Sequence, residues 1–159
     1  MTIITTTHLN FRGTARAALE FYQSVFGGDL SITRYRDVGM PTDAPGAENV
    51  VFGQLESDSG FRVMAYDIPG ASAGATDAAG AADAAGTRRE NGVTLTDQPF
   101  FLSVRGDTLD EVQRYWAALA VGAAVIEPLA ASPWSPGFGM LTDRFGVTWV
   151  IDVAGADGD

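Results

Sequence analysis

Cysteine is absent from this sequence of 159 residues. No disulfide can staple the fold, and no thiolate is available for catalysis or metal binding. Histidine occurs once, at His8. Basic charge is scarce: Lys and Arg number 10 against 20 Asp and Glu, giving a net charge of −10 and a pI near 4.3. Nucleic acid and anionic membrane surfaces are therefore not expected as partners, because both need cations to offset phosphate. No apolar run reaches bilayer length. The opening MTIITTTHLNFRG lacks the basic-then-apolar pattern of a signal peptide. The expectation is a cytoplasmic protein.

What the chain does have is apolar material, at 46% of residues, enough for a packed core. The length suits a single domain. Residues 70–86, GASAGATDAAGAADAAG, contain only Ala, Gly, Asp, Ser and Thr. Nothing large is available to bury there, and glycine interrupts any alanine helix. The stretch reads as a linker, with a lid over a site as the functional alternative.

The chain repeats itself on either side of this linker. At an offset of 93, Arg12 meets Arg105, Gly13 meets Gly106, Leu19 meets Val112 and Tyr22 meets Tyr115. Each copy reads as strand, Arg-Gly turn, helix. In the first helix Ala15, Ala18, Leu19, Tyr22, Val25 and Phe26 make one apolar stripe, with Thr14 as N-cap and Gly27-Gly28 as the stop. In the second, Leu109, Val112, Trp116 and Leu119 form the stripe. Asp107 reads as its cap, with Asp110 and Glu111 in the first turn.

Three strand-like runs follow each helix. DLSITRYRDV, NVVFGQLES and GFRVMAYDI belong to the first copy, and AAVIEPL, FGMLT and GVTWVIDV to the second. The offset here becomes 86, laying Gly60-Phe61 over Gly146-Val147. The expected fold class is α+β: two tandem βαβββ modules forming a curved mixed sheet around a cleft, with helices outside. Module one spans about 1–69, the linker about 70–92 and module two about 93–153.

This pattern resembles the vicinal oxygen chelate superfamily, also called the glyoxalase/bleomycin resistance/dioxygenase fold, with a likeness to its PhnB-like branch. The resemblance rests on His8-Leu9-Asn10-Phe11, Gly13, Ala17-Ala18-Leu19-Glu20-Phe21-Tyr22 and Val25-Phe26-Gly27-Gly28. It rests equally on the run from Gly137 to Val147 and on Trp149-Val150-Ile151. Names in this branch often mention a demethylubiquinone methyltransferase. The chain has no nucleotide or methyl-donor loop, so that activity is not expected.

Metal-dependent members of the superfamily carry ligands, usually His, Glu or Gln, at equivalent inward positions of four strands. The resemblance places these near Thr6 or His8, on Met64, near Pro99 and on Val150, where such relatives offer Glu. Three of the four places lack a ligand, since ligation needs imidazole or carboxylate lone pairs. Glu56, Asp67, Gln98 and Asp152 are nearby but would need register shifts, which turn a side chain to the other face. The expectation is no metal and no other cofactor.

Alternation along the first strand puts Thr7, Leu9 and Phe11 toward the helix and His8 and Asn10 toward the cleft. A lone strand histidine is usually a hydrogen-bonded structural residue; the functional alternative is a proton acceptor or a donor that orients a ligand. His8 is the sole catalytic candidate. The ligand-binding candidates are His8, Asn10, Met64, Tyr66, Phe101, Trp134, Phe138 and Val150, with Tyr35 another possible wall. Ser132 and Ser135 flank Trp134 without an evident His-Asp pair, which argues against a hydrolase triad. Arg88-Arg89-Glu90 reads as a solvated surface, with approach to an anionic ligand as the alternative. The expected function is metal-free binding of a small hydrophobic or aromatic molecule. A metal-dependent lyase, isomerase or dioxygenase is the alternative. A homodimer is expected from the resemblance.

Overall fold

The computed structural model describes residues 2–70 and 86–155. The chain divides into two compact units, residues 1–77 and 78–159, each holding one βαβββ module of an α+β fold. The Ala/Gly stretch read as a linker falls, from 71 to 85, outside the described residues. Among the described residues, no helix is long and apolar enough to cross a membrane.

The first module runs β1 (Thr7–Phe11), α1 (Ala15–Phe26), β2 (Asp29–Arg34), β3 (Val50–Glu56) and β4 (Arg62–Asp67). Its sheet has the order β1-β4-β3-β2. β1 and β4 are parallel, and the other neighbours antiparallel. The run expected as strand to Val38 breaks after Arg34 into a 3-10 turn, Tyr35–Val38. α1 buries Ala15, Ala18, Leu19, Phe21, Tyr22 and Phe26. The sheet answers with Leu9, Phe11, Val50, Leu55, Val63 and Ala65, and each fully buried leucine contributes roughly 1.5–3 kcal/mol. Gly53 lets the helix approach closely, because a Cβ there would collide with Leu19.

Thr14 stands at the N-cap position of α1, and its carbonyl accepts from the Ala18 amide at 2.9 Å, but its hydroxyl does not do the capping. Its side chain makes no cap hydrogen bond, and its Oγ1 is buried without a partner. The carboxylate of Asp67 takes that role from the end of β4. Its Oδ1 accepts from the amides of Gly13 (2.8 Å) and Ala15 (3.0 Å), and its Oδ2 from Val50 (2.8 Å). A buried acidic group thus sits where the helix dipole is positive and binds strand to helix.

The second module begins with a small hairpin, β5 (Arg88–Glu90) and β6 (Val93–Leu95). It continues with β7 (Leu102–Gly106), α2 (Leu109–Leu119), β8 (Ala124–Ser132), β9 (Ser135–Thr142) and β10 (Thr148–Val153). The order β7-β10-β9-β8, with β7 and β10 parallel, repeats the first sheet. α2 is capped by Thr108 rather than Asp107: the Thr108 hydroxyl accepts from the Glu111 amide at 3.2 Å. Asp110 and Glu111 occupy its first turn. Trp149 and Ile151 are fully buried on the helix side, where Trp116 lies over Gly139.

The Asp-Arg-Phe-Gly corner between β9 and β10 is a repeated structural turn. In the second module the Asp143 amide donates to Val147 O, and the Gly146 amide to Asp143 O. In the first, Ser57 donates to Phe61 O and Gly60 to Ser57 O. Gly146 and Gly60 both hold left-handed φ, 89° and 94°, which a side chain would strain.

Candidate functional site

Alternation gives each sheet one helix-covered face and one open face, free of any helix; on the second sheet that open face still buries Met140, Thr142, Thr148 and Asp152. On the first sheet the register sets His8, Met64, Gln54 and Ser31 in one row across four strands. Asn10 lies opposite Tyr66 in the next row, and Asp29, Glu56 and Arg62 form a third. His8, Asn10, Met64 and Tyr66 are thereby brought together on one surface.

Several groups there are already engaged. His8 Nδ1 lies 3.0 Å from Asn10 Oδ1, and the imidazole meets the Tyr66 ring edge-on at 5.3 Å between centroids. Glu56 accepts from Gln54 Nε2 and pairs with Arg62 at 3.4 Å. Asp67 points to the helix side and is consumed by three amides. Tyr35 donates its hydroxyl to Asp67 O at 2.8 Å. Burial pushes the Tyr35 pKa above the ordinary tyrosine value, helped by Tyr66 and Asp67 nearby.

The second sheet repeats the first row with Ser103, Val150, Met140 and Glu127. Its next row is Arg105, Asp152, Phe138 and Ala130. The Asp152 carboxylate is held by Arg105 through two hydrogen bonds, 3.1 Å and 2.8 Å, and this ion pair raises the Arg105 pKa. Phe138 and Val150 share the open face. Trp134 sits at the turn between β8 and β9, 55% exposed, with its ring 5.3 Å from Phe138 in an edge arrangement. The two flanking serines are structural: Ser132 donates to Ser135 O, and Ser135 to the carbonyls of Gly137 and Val153.

Two expectations need correction. The first is the third inward position, expected near Pro99. Leu9 faces Ala65, and Val104 faces Ile151, so the strands align at an offset of 95 while the helices align at 93. The residue matching His8 is thus Ser103, two positions beyond Phe101. Phe101 precedes β7 rather than standing in it. The second concerns Arg88-Arg89-Glu90. Arg88 and Glu90 are exposed, but the Arg89 side chain keeps only 12% exposure. Its guanidinium lies 5.1 Å from the Phe138 ring centroid and donates to Thr94 at 2.9 Å. Its Nε is 3.8 Å from Glu127. Thr94 in turn contacts Met140 Sδ at 3.6 Å. The hairpin is therefore anchored on the open face of the second sheet, a role the sequence reading missed.

Whether these faces fit a metal ion is decided by donor chemistry. The four equivalent positions carry an imidazole (His8), a thioether (Met64), a hydroxyl (Ser103) and an alkyl group (Val150). Only the first is a strong ligand for a catalytic divalent ion. Glu56 and Asp152, the acidic neighbours, are committed to arginines. Among the described residues, no three His, Cys, Asp or Glu side chains gather as a metal set. The residues present do not fit the metal centre of the metal-dependent relatives.

Two βαβββ repeats in tandem, each with one sheet face free of helix, define the architecture of one superfamily. Residues 7–151 match the sequence profile of the Glyoxalase/Bleomycin resistance protein/Dioxygenase superfamily, and the chain belongs to it. It is 28% identical over 147 residues to Protein YjdN of Escherichia coli (strain K12), covering 92% of each chain. Among solved structures it is similar to protein PA1353 from Pseudomonas aeruginosa, with a TM-score of 0.73, 27% identity and coverage of 96% and 98%. It is also similar to a PhnB protein from Bacillus cereus, named as a putative 3-demethylubiquinone-9 3-methyltransferase. There the TM-score is 0.67 and the identity 26%, with coverage of 96% and 100%.

Proposed function

We propose that this protein binds a small hydrophobic or aromatic molecule on its open sheet faces without a resident metal ion. The observation that carries this reading is the set His8, Met64, Ser103 and Val150, which offers one imidazole where four ligands would be needed. Aromatic and thioether side chains favour stacking and dispersion contacts with a planar ligand. Tyr66 and Met64 supply them on the first sheet, and Trp134 with Phe138 on the second. The methyltransferase name carried by the Bacillus cereus relative is not extended to this chain, whose sequence has no G-x-G-x-x-G fingerprint for a nucleotide-like donor.

Elemental analysis of the purified protein tests the reading. Substoichiometric Zn, Ni, Mn and Fe are expected. One tightly bound divalent ion per chain would overturn it in favour of a metal-dependent lyase, isomerase or dioxygenase.

A further inference from the structure

We propose that His8 presents Nε2 as a hydrogen-bond acceptor to a weakly acidic hydroxyl group, a phenol or enol, on a ligand lying over the first sheet. Asn10 is the positioning residue that fixes the tautomer. The inference deepens the binding reading above and rests on it.

The argument starts from the 3.0 Å contact between His8 Nδ1 and Asn10 Oδ1. A carboxamide oxygen only accepts, so Nδ1 carries the hydrogen. A neutral imidazole has one N–H, which leaves Nε2 as a bare lone pair. The edge-on Tyr66 ring at 5.3 Å packs against the imidazole and restricts its rotation. His8 is exposed, and among the described residues no hydrogen bond reaches Nε2. The open face thus offers a pre-oriented acceptor beside Met64 and Tyr66.

The surroundings select the donor. An anionic ligand would meet a lone pair and a chain of net charge −10. An ammonium ligand would need a free carboxylate, but the nearby Glu56 is already held by Gln54 and Arg62. A neutral aromatic hydroxyl satisfies both conditions: its O–H donates to Nε2 and its ring packs on Met64 and Tyr66.

Because the chain has one histidine, nitrogen-15 NMR of the labelled protein reads a single imidazole. In the neutral imidazole the Nδ1–H tautomer should dominate. Asn10→Ala should move the population toward the Nε2–H form that water favours. 2-Naphthol should then shift the Nε2 signal and bind about tenfold tighter than 2-methoxynaphthalene, the gain of one hydrogen bond. A dominant Nε2–H tautomer in the unaltered protein would overturn the inference. Equal affinity for the methyl ether would overturn it while leaving aromatic binding intact. Failure of both compounds to bind would overturn the binding reading as well.

Discussion

The indole Nε1 of Trp149 donates to Oδ2 of Asp143 at 2.9 Å, with both residues fully buried. Oδ1 of the same carboxylate accepts from the amides of Phe145 and Val147. One acidic residue therefore ties the last turn to the core of the second module. Asp143→Ala strands three donors, each costing about 1–3 kcal/mol when buried and unsatisfied. A loss of about 3 kcal/mol or more is expected in urea denaturation. A variant within about 0.5 kcal/mol of the parent would show that the turn forms without it.

The two candidates for capping α1 separate cleanly. Asp67→Ala removes the acceptor of three amides and should cost about 2–4 kcal/mol. Thr14→Ala should change stability by less than about 0.5 kcal/mol, since its hydroxyl has no partner. The reverse order would return the capping to the Thr14 hydroxyl.

Tyr35 gives the pH dependence a definite sign. Its folded pKa is raised, so the neutral phenol is favoured in the folded state. The associated stability is present below the ordinary tyrosine value and is lost as pH rises through that value to the folded pKa. Ultraviolet titration of the parent minus that of Tyr35→Phe should isolate one tyrosine ionising above the ordinary value. A difference spectrum titrating at or below that value would contradict the burial of this hydroxyl.

Trp134 is more than half exposed, and its ring meets Phe138 edge-on. Trp134→Ala should keep a cooperative thermal transition with a stability change of less than about 1 kcal/mol. Binding of an aromatic ligand on the second sheet should weaken about tenfold, a typical loss for an aromatic contact. Loss of the cooperative transition would place Trp134 in the core instead.

The helices and both modules were legible because their signals are local. Leu19 and Tyr22 recur at helical spacing, and their repeat partners Val112 and Tyr115 follow at one offset. The alternation in β1 and β10 also placed His8, Asn10 and Val150 on the open faces, because period two leaves little freedom. The cap supplied by Asp67 was not legible: its partners Gly13 and Ala15 lie more than fifty residues away. Ser103 was missed because strand and helix of the second module sit two residues closer together, a shift no propensity reveals. The hairpin around Arg89 did carry a signal. Asn91-Gly92 holds φ of 52° and 76°, the paired positive values of a type I′ turn. Its proximity to the Ala/Gly stretch hid that dipeptide inside a presumed linker.

The central claim is that an aromatic ligand binds here without a metal ion. Calorimetric titration of 2-naphthol into the intact protein, with and without EDTA, tests it most directly. The account expects the same affinity in both, weakened by His8→Ala. Binding abolished by the chelator and restored by a divalent cation would contradict it.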